Sequence, residues 1–569
     1  MDLKRKSLVL FFILAAGFIV RVIGINYGLP FAYHDDEPII VNYALAYGAG
    51  DFNPHVFKIA PFLSYVLFFL YGILFAVGYV IGHFKGVSDF AYQYLNDPTL
   101  FYMTGRAVFG LLCGTGSVLL VYFAGKKYFS KEAGILGALF LAFNYLHVRD
   151  SHYIYFDVPV TFFVLLFFIK LSGLLKAPVK RSDYVLSGVF FALAFSVKYT
   201  AVFLAVPFFL ALAYSLYVSR DKKLSLKATD ILLCGLSSLV VIFLLNPFAF
   251  LSFGEFWQSV RKMPFVELPP YFHLKTSLFN GCGMVMTALG ALGVLLALIT
   301  DRDKKALLAV YALLYYWVIS GSSQAAERLV MPLVPIVLLF AAAAIIKAKS
   351  LIRKRTLSNL AFSVVIIVVM FPSMMRIYYS DALFLKEDTR TQAYKWVREN
   401  IPADSRIALD ATASWFPKLE KSREQIKELS NYFEVPQFDK PMGADQKKLK
   451  FMLTNPYYPE KTYYLYYVKE TAGTAFLSVQ PDINADYSEI TSKRIEYILL
   501  SHTLVDEKYR NFVGEIEKKC KLIKTFSPYK DNVSRIRPGE VSLPPAAAFM
   551  FSELRDRKSY GPVIKIYKR

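Results

Sequence analysis

The sequence predicts a polytopic α-helical membrane protein with a C-terminal soluble α/β domain. Three observations lead there. The 569 residues are 55% apolar with a mean hydropathy of +0.39, too apolar for a soluble chain of this length. Apolar runs recur from residue 7 to about residue 378 and then stop. Residues 380–569 turn rich in Lys, Glu, Asp and Pro and hold no spanning run. The expected division is therefore a membrane domain over 1–379 and a soluble domain over 380–569.

The elements follow in order. Spans are expected at about 7–27, 106–124, 132–148, 158–176, 184–198, 200–218, 229–247, 277–300, 305–320, 329–347 and 357–378, about eleven in all. Lys126-Lys127 and the stretches 176–181, 220–227, 302–305 and 347–355 are basic and fall in alternate loops. With Lys4, Arg5 and Lys6 they mark one side as cytoplasmic. The other side collects His34-Asp35-Asp36-Glu37, then residues 149–157, 248–276 and 320–328. The apolar stretch 57–84 breaks this parity if it crosses once, because Asp36 and Asp157 would then face opposite sides. It is expected to form embedded or interfacial helices that enter and leave on the outer side. The protein is then multi-pass in the plasma membrane, with the acidic loops and the soluble domain extracytoplasmic.

A net charge of +21 suits nucleic acid, but the basic residues sit in short loops between apolar runs. Membrane lipid explains that placement better, and no nucleic-acid partner is expected. Of four cysteines, Cys113, Cys234 and Cys282 lie in apolar runs, so neither a disulfide framework nor a paired-cysteine metal site is visible. The basic start and the run behind it imitate a signal peptide. No small-x-small cleavage site follows and the run reaches spanning length, so an uncleaved first helix is expected.

Chemistry is expected at the acidic loops. Asp35-Asp36-Glu37, between His34 and Pro38, are three consecutive carboxylates directly after the first run, where charge beside lipid is costly. A second feature is Arg149-Asp150-Ser151-His152-Tyr153-Ile154-Tyr155-Phe156-Asp157-Val158-Pro159. A third is a set of cations near the outer span ends: Arg106, Lys198, Arg261, Lys262, Lys275 and Arg328. A carboxylate takes the proton of an incoming hydroxyl, and cations hold a lipid-borne phosphate as it leaves. Plainer readings compete at each position. Asp157 suits an N-cap before Pro159. Arg106 and Lys198 suit structural ion pairs or snorkelling, and Arg328 suits pairing with Glu327. Tyr33, Tyr153 and Tyr155 are placed either to stack on a sugar or to belt the interface. His34, His147 and His152, with Asp35 and Glu37, have no spacing diagnostic of a metal. A single displacement that releases a phosphate needs one base, not the two catalytic carboxylates of a hydrolase. It needs no sugar nucleotide, so the missing Gly-rich phosphate loop is no objection.

The order of these features resembles a known family. A first span is followed by an acidic motif ending Asp36-Glu37. Arg106 then opens a span ending Val121-Tyr122-Phe123-Ala124-Gly125-Lys126-Lys127-Tyr128-Phe129. Ser151-His152-Tyr153 and Phe156-Asp157-Val158-Pro159 precede Thr161-Phe162-Phe163. This pattern resembles the membrane glycosyltransferases of the GT-C fold, nearest the protein O-mannosyltransferase-like group, with the bacterial aminoarabinose transferases of lipid A as relatives. It covers residues 1 to about 350 and extends more weakly to Asp388-Thr389-Arg390 and Gly561-Pro562-Val563-Ile564-Lys565-Ile566-Tyr567.

The resemblance implies a sugar linked to a polyprenyl or dolichyl phosphate as donor. The acceptor is a hydroxyl on protein, lipid or glycan, and transfer inverts the sugar with a first-loop Asp as base. Matched residue by residue, Asp36 is the favoured base and Asp35 its close rival, with Glu37 and His34 completing the acidic motif. Asp157 matches the second-loop acid that shapes the site. Arg106, Lys198 and Arg328 are the contacts to the donor phosphate, and Tyr153 and His152 the contacts to substrate. No Trp-Trp-Asp motif is present. That disfavours an oligosaccharyltransferase, the metal-dependent branch, so no metal and no other cofactor is expected.

In 388–410 the pattern is helix, turn, strand, with Thr389 and Gln392 fitting a capping box and Ala393, Trp396 and Val397 on one face. Further strands are expected at 406–409, 463–468, 497–500 and 563–567, with a helix at about 504–519. Residues 411–460 are Lys-rich and carry no assigned element. This domain is expected to cover the site or bind acceptor. A transporter or flippase of lipid-linked saccharide is the alternative. It would show two related halves or interrupted helices near the midplane, whereas the charges here gather on one face. A non-catalytic scaffold with dispensable acids is a third reading.

Overall fold

The computed structural model describes residues 3–34, 36–176, 179–218, 224–261, 269, 271–300, 304–321, 326–410, 416–433, 442–468, 482–501, 507–531 and 551–569. The helices up to residue 384 are α1 (Leu3–Val22), α2 (Glu37–Ala46), α3 (Phe62–Val80), α4 (Val87–Asn96), α5 (Thr99–Gly105), α6 (Cys113–Tyr128), α7 (Lys131–Ala142), α8 (Tyr145–Asp150), α9 (Asp157–Leu174), α10 (Arg181–Val197), α11 (Ala205–Val218), α12 (Leu224–Leu245), α13 (Phe248–Leu251), α14 (Phe253–Arg261), α15 (Phe279–Cys282), α16 (Met284–Thr300), α17 (Lys304–Ser320), α18 (Val334–Leu351) and α19 (Arg355–Phe384). Then follow α20 (Thr389–Asn400), β1 (Arg406–Asp410), α21 (Arg423–Phe433), α22 (Met442–Thr454), β2 (Tyr464–Val468), β3 (Asp482–Ile483), α23 (Tyr487–Ser492), β4 (Tyr497–Leu500), α24 (Glu507–Lys519), β5 (Lys521–Phe526), α25 (Phe551–Asp556) and β6 (Ile564–Lys568).

Each expected span overlaps helix. Six described helices, or seven if a bent pair counts as one, are long and apolar enough to cross a membrane. α7 is shorter than its run over 132–148 suggested, with 12 residues, whereas α10 and α17, with 17 each, slightly exceed theirs. The stretch expected to hold interfacial helices differs more. α3 is one continuous helix of 19 residues, long and apolar enough to span. No proline or charge interrupts it, so nothing in its sequence breaks the backbone ladder. The chain then turns at Gly82, where φ is +76°. α4 packs back on α3, with the Phe75 and Phe90 rings 5.5 Å apart.

Contacts divide the chain into two compact units. The first is Met1–Ile25, Phe52–Leu67 and Gly105–Asp381; the second is Asn26–Asp51, Phe68–Thr104 and Ala382–Arg569. α19 ends at Phe384, and the second unit takes two segments from about the first hundred residues as well as Ala382–Arg569.

In the first unit, α9 and the helix Glu327–Leu351 are central, with 72% and 83% of their most apolar windows buried, against 17% for that of the helical stretch Arg355–Asn400. α6 and α7 cross closely. A Cβ on Gly125 would stand 2.4 Å from the Gly134 Cα, so small residues are required on both helices. Arg106–Leu112 is a π-helical stretch between α5 and α6, a form common at functional sites.

The second unit holds a six-stranded sheet in the order β3-β2-β1-β4-β6-β5. β1 pairs in parallel with β2 and β4, and β6 runs antiparallel to β4 and β5. Side chains alternate between two cores. Ala408, Ile498 and Leu500 pack with Phe512 and Ile516 of α24. Ile407, Leu409 and Leu499 pack with Ala393 and Val397 of α20. The four expected strands and the helix near 507–519 are present. The expected capping box is not. Asp388, not Thr389, caps α20, its carboxylate accepting from the Arg390 N–H at 2.8 Å. Thr389 Oγ1 instead donates to the Pro562 carbonyl, and Gln392 donates to Glu387.

Candidate functional site

In the first unit the second-loop acid lies at the start of α9. Asp157 is the first helical residue and makes no capping hydrogen bond, so the N-cap role does not hold. Its carboxylate is buried and meets two cations. Lys198 Nζ lies 2.6 Å from Oδ1, and Arg328 Nε lies 3.7 Å from Oδ2. Lys198 stands where α10 ends: its N–H closes the helix on Ala194 and its backbone turns extended, projecting the side chain toward α9. Arg328 comes from the 3-10 turn Glu327–Leu333. Its Nη2 donates to the Tyr155 hydroxyl at 3.0 Å, and its guanidinium lies 4.4 Å from the Tyr155 ring centroid.

Exposure sorts these groups. The Asp157 side chain is 1% exposed, those of Lys198 and Arg328 18% and 23%. A buried carboxylate needs partners to offset desolvation. Here the acid is sealed behind two cations that keep an accessible face. One acid and two cations leave a net positive charge, suited to a phosphate.

A second network engages Glu327 away from its neighbour Arg328. Glu327 Oε2 accepts from Arg149 Nη1 at 3.2 Å, and Arg149 Nε also pairs with Asp150 Oδ1 at 2.7 Å. Glu327 therefore pairs with Arg149, and Arg328 with Asp157, against the reading that the neighbours pair together. The second-loop motif contains Arg149-Asp150, but its pattern does not reveal the pairing with Glu327. The signal it does carry is adjacent opposite charges next to an apolar run.

Other expected site residues are engaged differently. Arg106 is buried, its Nη1 donates to the Ile25 carbonyl at 2.7 Å, and it lies over the Tyr153 ring at 5.6 Å. His152 is buried with its two ring nitrogens 2.9 Å from the Val148 and Ile23 carbonyls. With Tyr153 also buried, these two side chains brace the α8 turn and offer no open face to a sugar. Tyr155, beside Arg328, is the aromatic in the cation cluster. Arg261 and Lys275 are exposed, and Lys262 lies outside the described residues. Among the described residues, no group of three or more His, Cys, Asp or Glu is placed to hold a metal.

The first-loop acids belong to the second unit. Asp35 lies outside the described residues. Asp36 precedes α2, is partly exposed and makes no side-chain capping bond to that helix. Its N–H donates to His34 Nδ1 at 3.2 Å, so the buried His34 holds the turn. Glu37 is fully buried, within electrostatic reach of Tyr71 and Tyr102. The structure thus separates two neighbours that look equivalent in sequence.

The loop before Asp36 is clamped. Asp388 takes Arg390 through two bonds, Nε to Oδ1 and Nη2 to Oδ2, each 2.8 Å. Tyr27 donates to Asp388 Oδ2 at 2.5 Å. The Arg390 guanidinium lies 3.8 Å from the Tyr33 ring centroid, and the Tyr33 hydroxyl meets Thr391 at 2.9 Å. Burial, and then Asp388, hold the Tyr33 phenol well above the usual tyrosine range, so it stays un-ionised. Gly561, at φ +100°, closes the set: a Cβ there would stand 2.1 Å from Thr389 Oγ1. The segments 388–390 and 561–562, which the family resemblance picked out weakly, meet here.

Residues 101–248 match the family described as dolichyl-phosphate-mannose-protein mannosyltransferase. That segment is about a quarter of the chain and contains Arg106, His152, Tyr153, Asp157 and Lys198. Over it the chain is similar to glycosyltransferases, as the sequence resemblance implied. No curated protein matches the chain. Among solved structures, the chain is similar to the Archaeoglobus fulgidus oligosaccharyltransferase complex with Zn and sulfate, at 12% identity and a TM-score of 0.44. The match covers 71% of this chain and 60% of that one, so the chain spans less than two thirds of that relative. ArnT from Cupriavidus metallidurans bound to undecaprenyl phosphate is 12% identical at a TM-score of 0.46, covering 92% of this chain and 97% of that chain. The S. cerevisiae Pmt1-Pmt2 complex bound to the sugar donor is 18% identical at a TM-score of 0.34, covering 45% and 34%.

Proposed function

We propose that this protein is an inverting glycosyltransferase that moves a sugar from a polyprenyl- or dolichyl-phosphate donor to a hydroxyl acceptor at the outer face of the cell membrane. The observation that carries this reading is the Asp157–Lys198–Arg328 cluster, two of whose members lie inside the matched segment. A phosphate leaving group is already stable as an anion, so it needs cations more than an acid. Lys198 and Arg328 take that role. Asp157 is a positioning residue that fixes both side chains. The acceptor oxygen bonds to the anomeric carbon as the bond to the phosphate oxygen breaks, and the acceptor proton passes to a carboxylate. Asp36 is the favoured base, because it is partly exposed where Glu37 is buried. Asp35 stays its rival. The outer-face placement rests on the alternation of basic loops. Protein, lipid and glycan hydroxyls all fit as acceptors.

One observation favours the alternative of a flippase. The helices His273–Cys282 and Met284–Ile299 form a pair bent by 112°, an interrupted helix of the kind transporters use. The two readings part in proteoliposomes loaded with undecaprenyl- or dolichyl-phosphate carrying a radiolabelled hexose. A transferase releases free polyprenyl phosphate when a hydroxyl acceptor is added. Translocation of the intact donor, with no cleavage, would sink the transferase reading.

A further inference from the structure

At the far end of α9 from Asp157, roughly 20 Å along the helix axis, a second group of cations converges. Lys127, Lys170, Lys176 and Lys180 line a cavity of about 320 Å³ together with Gly173, Ser182 and Asp183. We propose that this cavity binds a phosphate group, as borne by an anionic phospholipid or by free phosphate.

Asp183 is the one acid among the lining residues, so four ammonium groups face one carboxylate. That carboxylate is fixed against the wall. A Cβ on Gly173 would stand 2.4 Å from Asp183 Oδ2, so only glycine leaves it room, and Lys170 Nζ lies 3.8 Å away. Lys127 Nζ donates to the Ile169 carbonyl at 3.0 Å, which turns its ammonium inward over the last turns of α9. Lys176, Lys170 and Lys304 repel it, and Asp183 offsets part of that repulsion. An anion seated among them would relieve that repulsion. The alternation of basic loops explains why lysines occur on this side. It does not explain why they converge on one cavity from α6, α9 and the start of α10. Basic pockets between membrane helices take phosphate headgroups in this way. Exposed Phe123, one turn before Lys127 on α6, supplies apolar surface for an acyl chain.

The test is a titration of the full chain in detergent, following thermal unfolding with phosphatidylglycerol, with zwitterionic phosphatidylcholine and with inorganic phosphate. Phosphatidylglycerol is expected to raise the midpoint and phosphatidylcholine not to. Lys170→Gln and Lys180→Gln should each weaken the apparent affinity about fivefold. Asp183→Asn should strengthen it. A lysine-dependent shift with inorganic phosphate alone identifies free phosphate as the ligand and sustains the site. A response equal for phosphatidylcholine, or unchanged in the Lys170→Gln/Lys180→Gln protein, overturns it. Should that double variant fail to fold, Asp183→Asn decides, because unchanged or weaker affinity there contradicts the proposal. None of these readouts depends on transferase activity.

Discussion

Glu327 and Arg328 are adjacent, yet one pairs with Arg149 and the other with Asp157. The 3-10 turn they share rotates about 120° per residue, so neighbours point apart. Sequence could nominate every charge in the cluster, because ionised groups beside apolar runs are costly. It could not say which pairs with which, since that depends on how α9, α10 and the 327–333 turn are packed. For the same reason, only the packing shows that Tyr155 meets Arg328. Lys198→Ala and Arg328→Ala are each expected to raise the KM for the lipid donor about tenfold or more, as loss of a charged phosphate contact implies. Lys198→Arg should recover part of that, and donor-dependence of initial rates checks both. Asp157→Asn leaves two cations facing a neutral amide. It should lower stability by about 3 kcal/mol, read from thermal unfolding, and weaken donor binding as well.

At the scale of elements, the clamp on residues 26–34 gives the clearest expectation. Arg390→Ala removes the bidentate pair with Asp388 and the stacking on Tyr33. Amide exchange in residues 26–34 should then rise, while strands β1 and β4 keep their protection. Unchanged exchange in that loop would mean that Arg390 does not hold it. Gly561→Ala forces a methyl group against Thr389 and should lower the unfolding midpoint. The strands of the second unit were legible where a short apolar run is buried throughout, as at 407–409 and 497–500. β3 was missed because it is two residues long. β5 was missed because it sits at the sheet edge with none of its residues fully buried. α21 did carry a signal, since Ile426 and Leu429 are spaced for one helical face and Ile426 is buried.

For the whole molecule, hydropathy revealed where the apolar helices end but not how the chain is shared between two units. Short segments at 26–51 and 68–104 join the second unit through tertiary contacts that no local pattern announces. Charge parity rests on α3, which is long enough to cross. If the acidic loops and the C-terminal residues lie outside, cysteines placed at Asp51, Gly321 and Lys386, all exposed, should label from that side with an impermeant reagent. Background should be low, as Cys234, Cys282 and Cys520 are buried. Labelling of Asp51→Cys and Gly321→Cys from opposite sides would place a single crossing at α3 and break the parity argument. We propose sugar transfer from a lipid phosphate with Asp36 as base. Its most direct measurement is the release of free polyprenyl phosphate from a hexose-charged donor, compared between wild type and Asp36→Asn at equal donor occupancy. Release by the wild type is expected, with a loss of about a hundredfold or more in Asp36→Asn and donor binding intact. Equal release by the two proteins, or none by the wild type with any acceptor class, would contradict it.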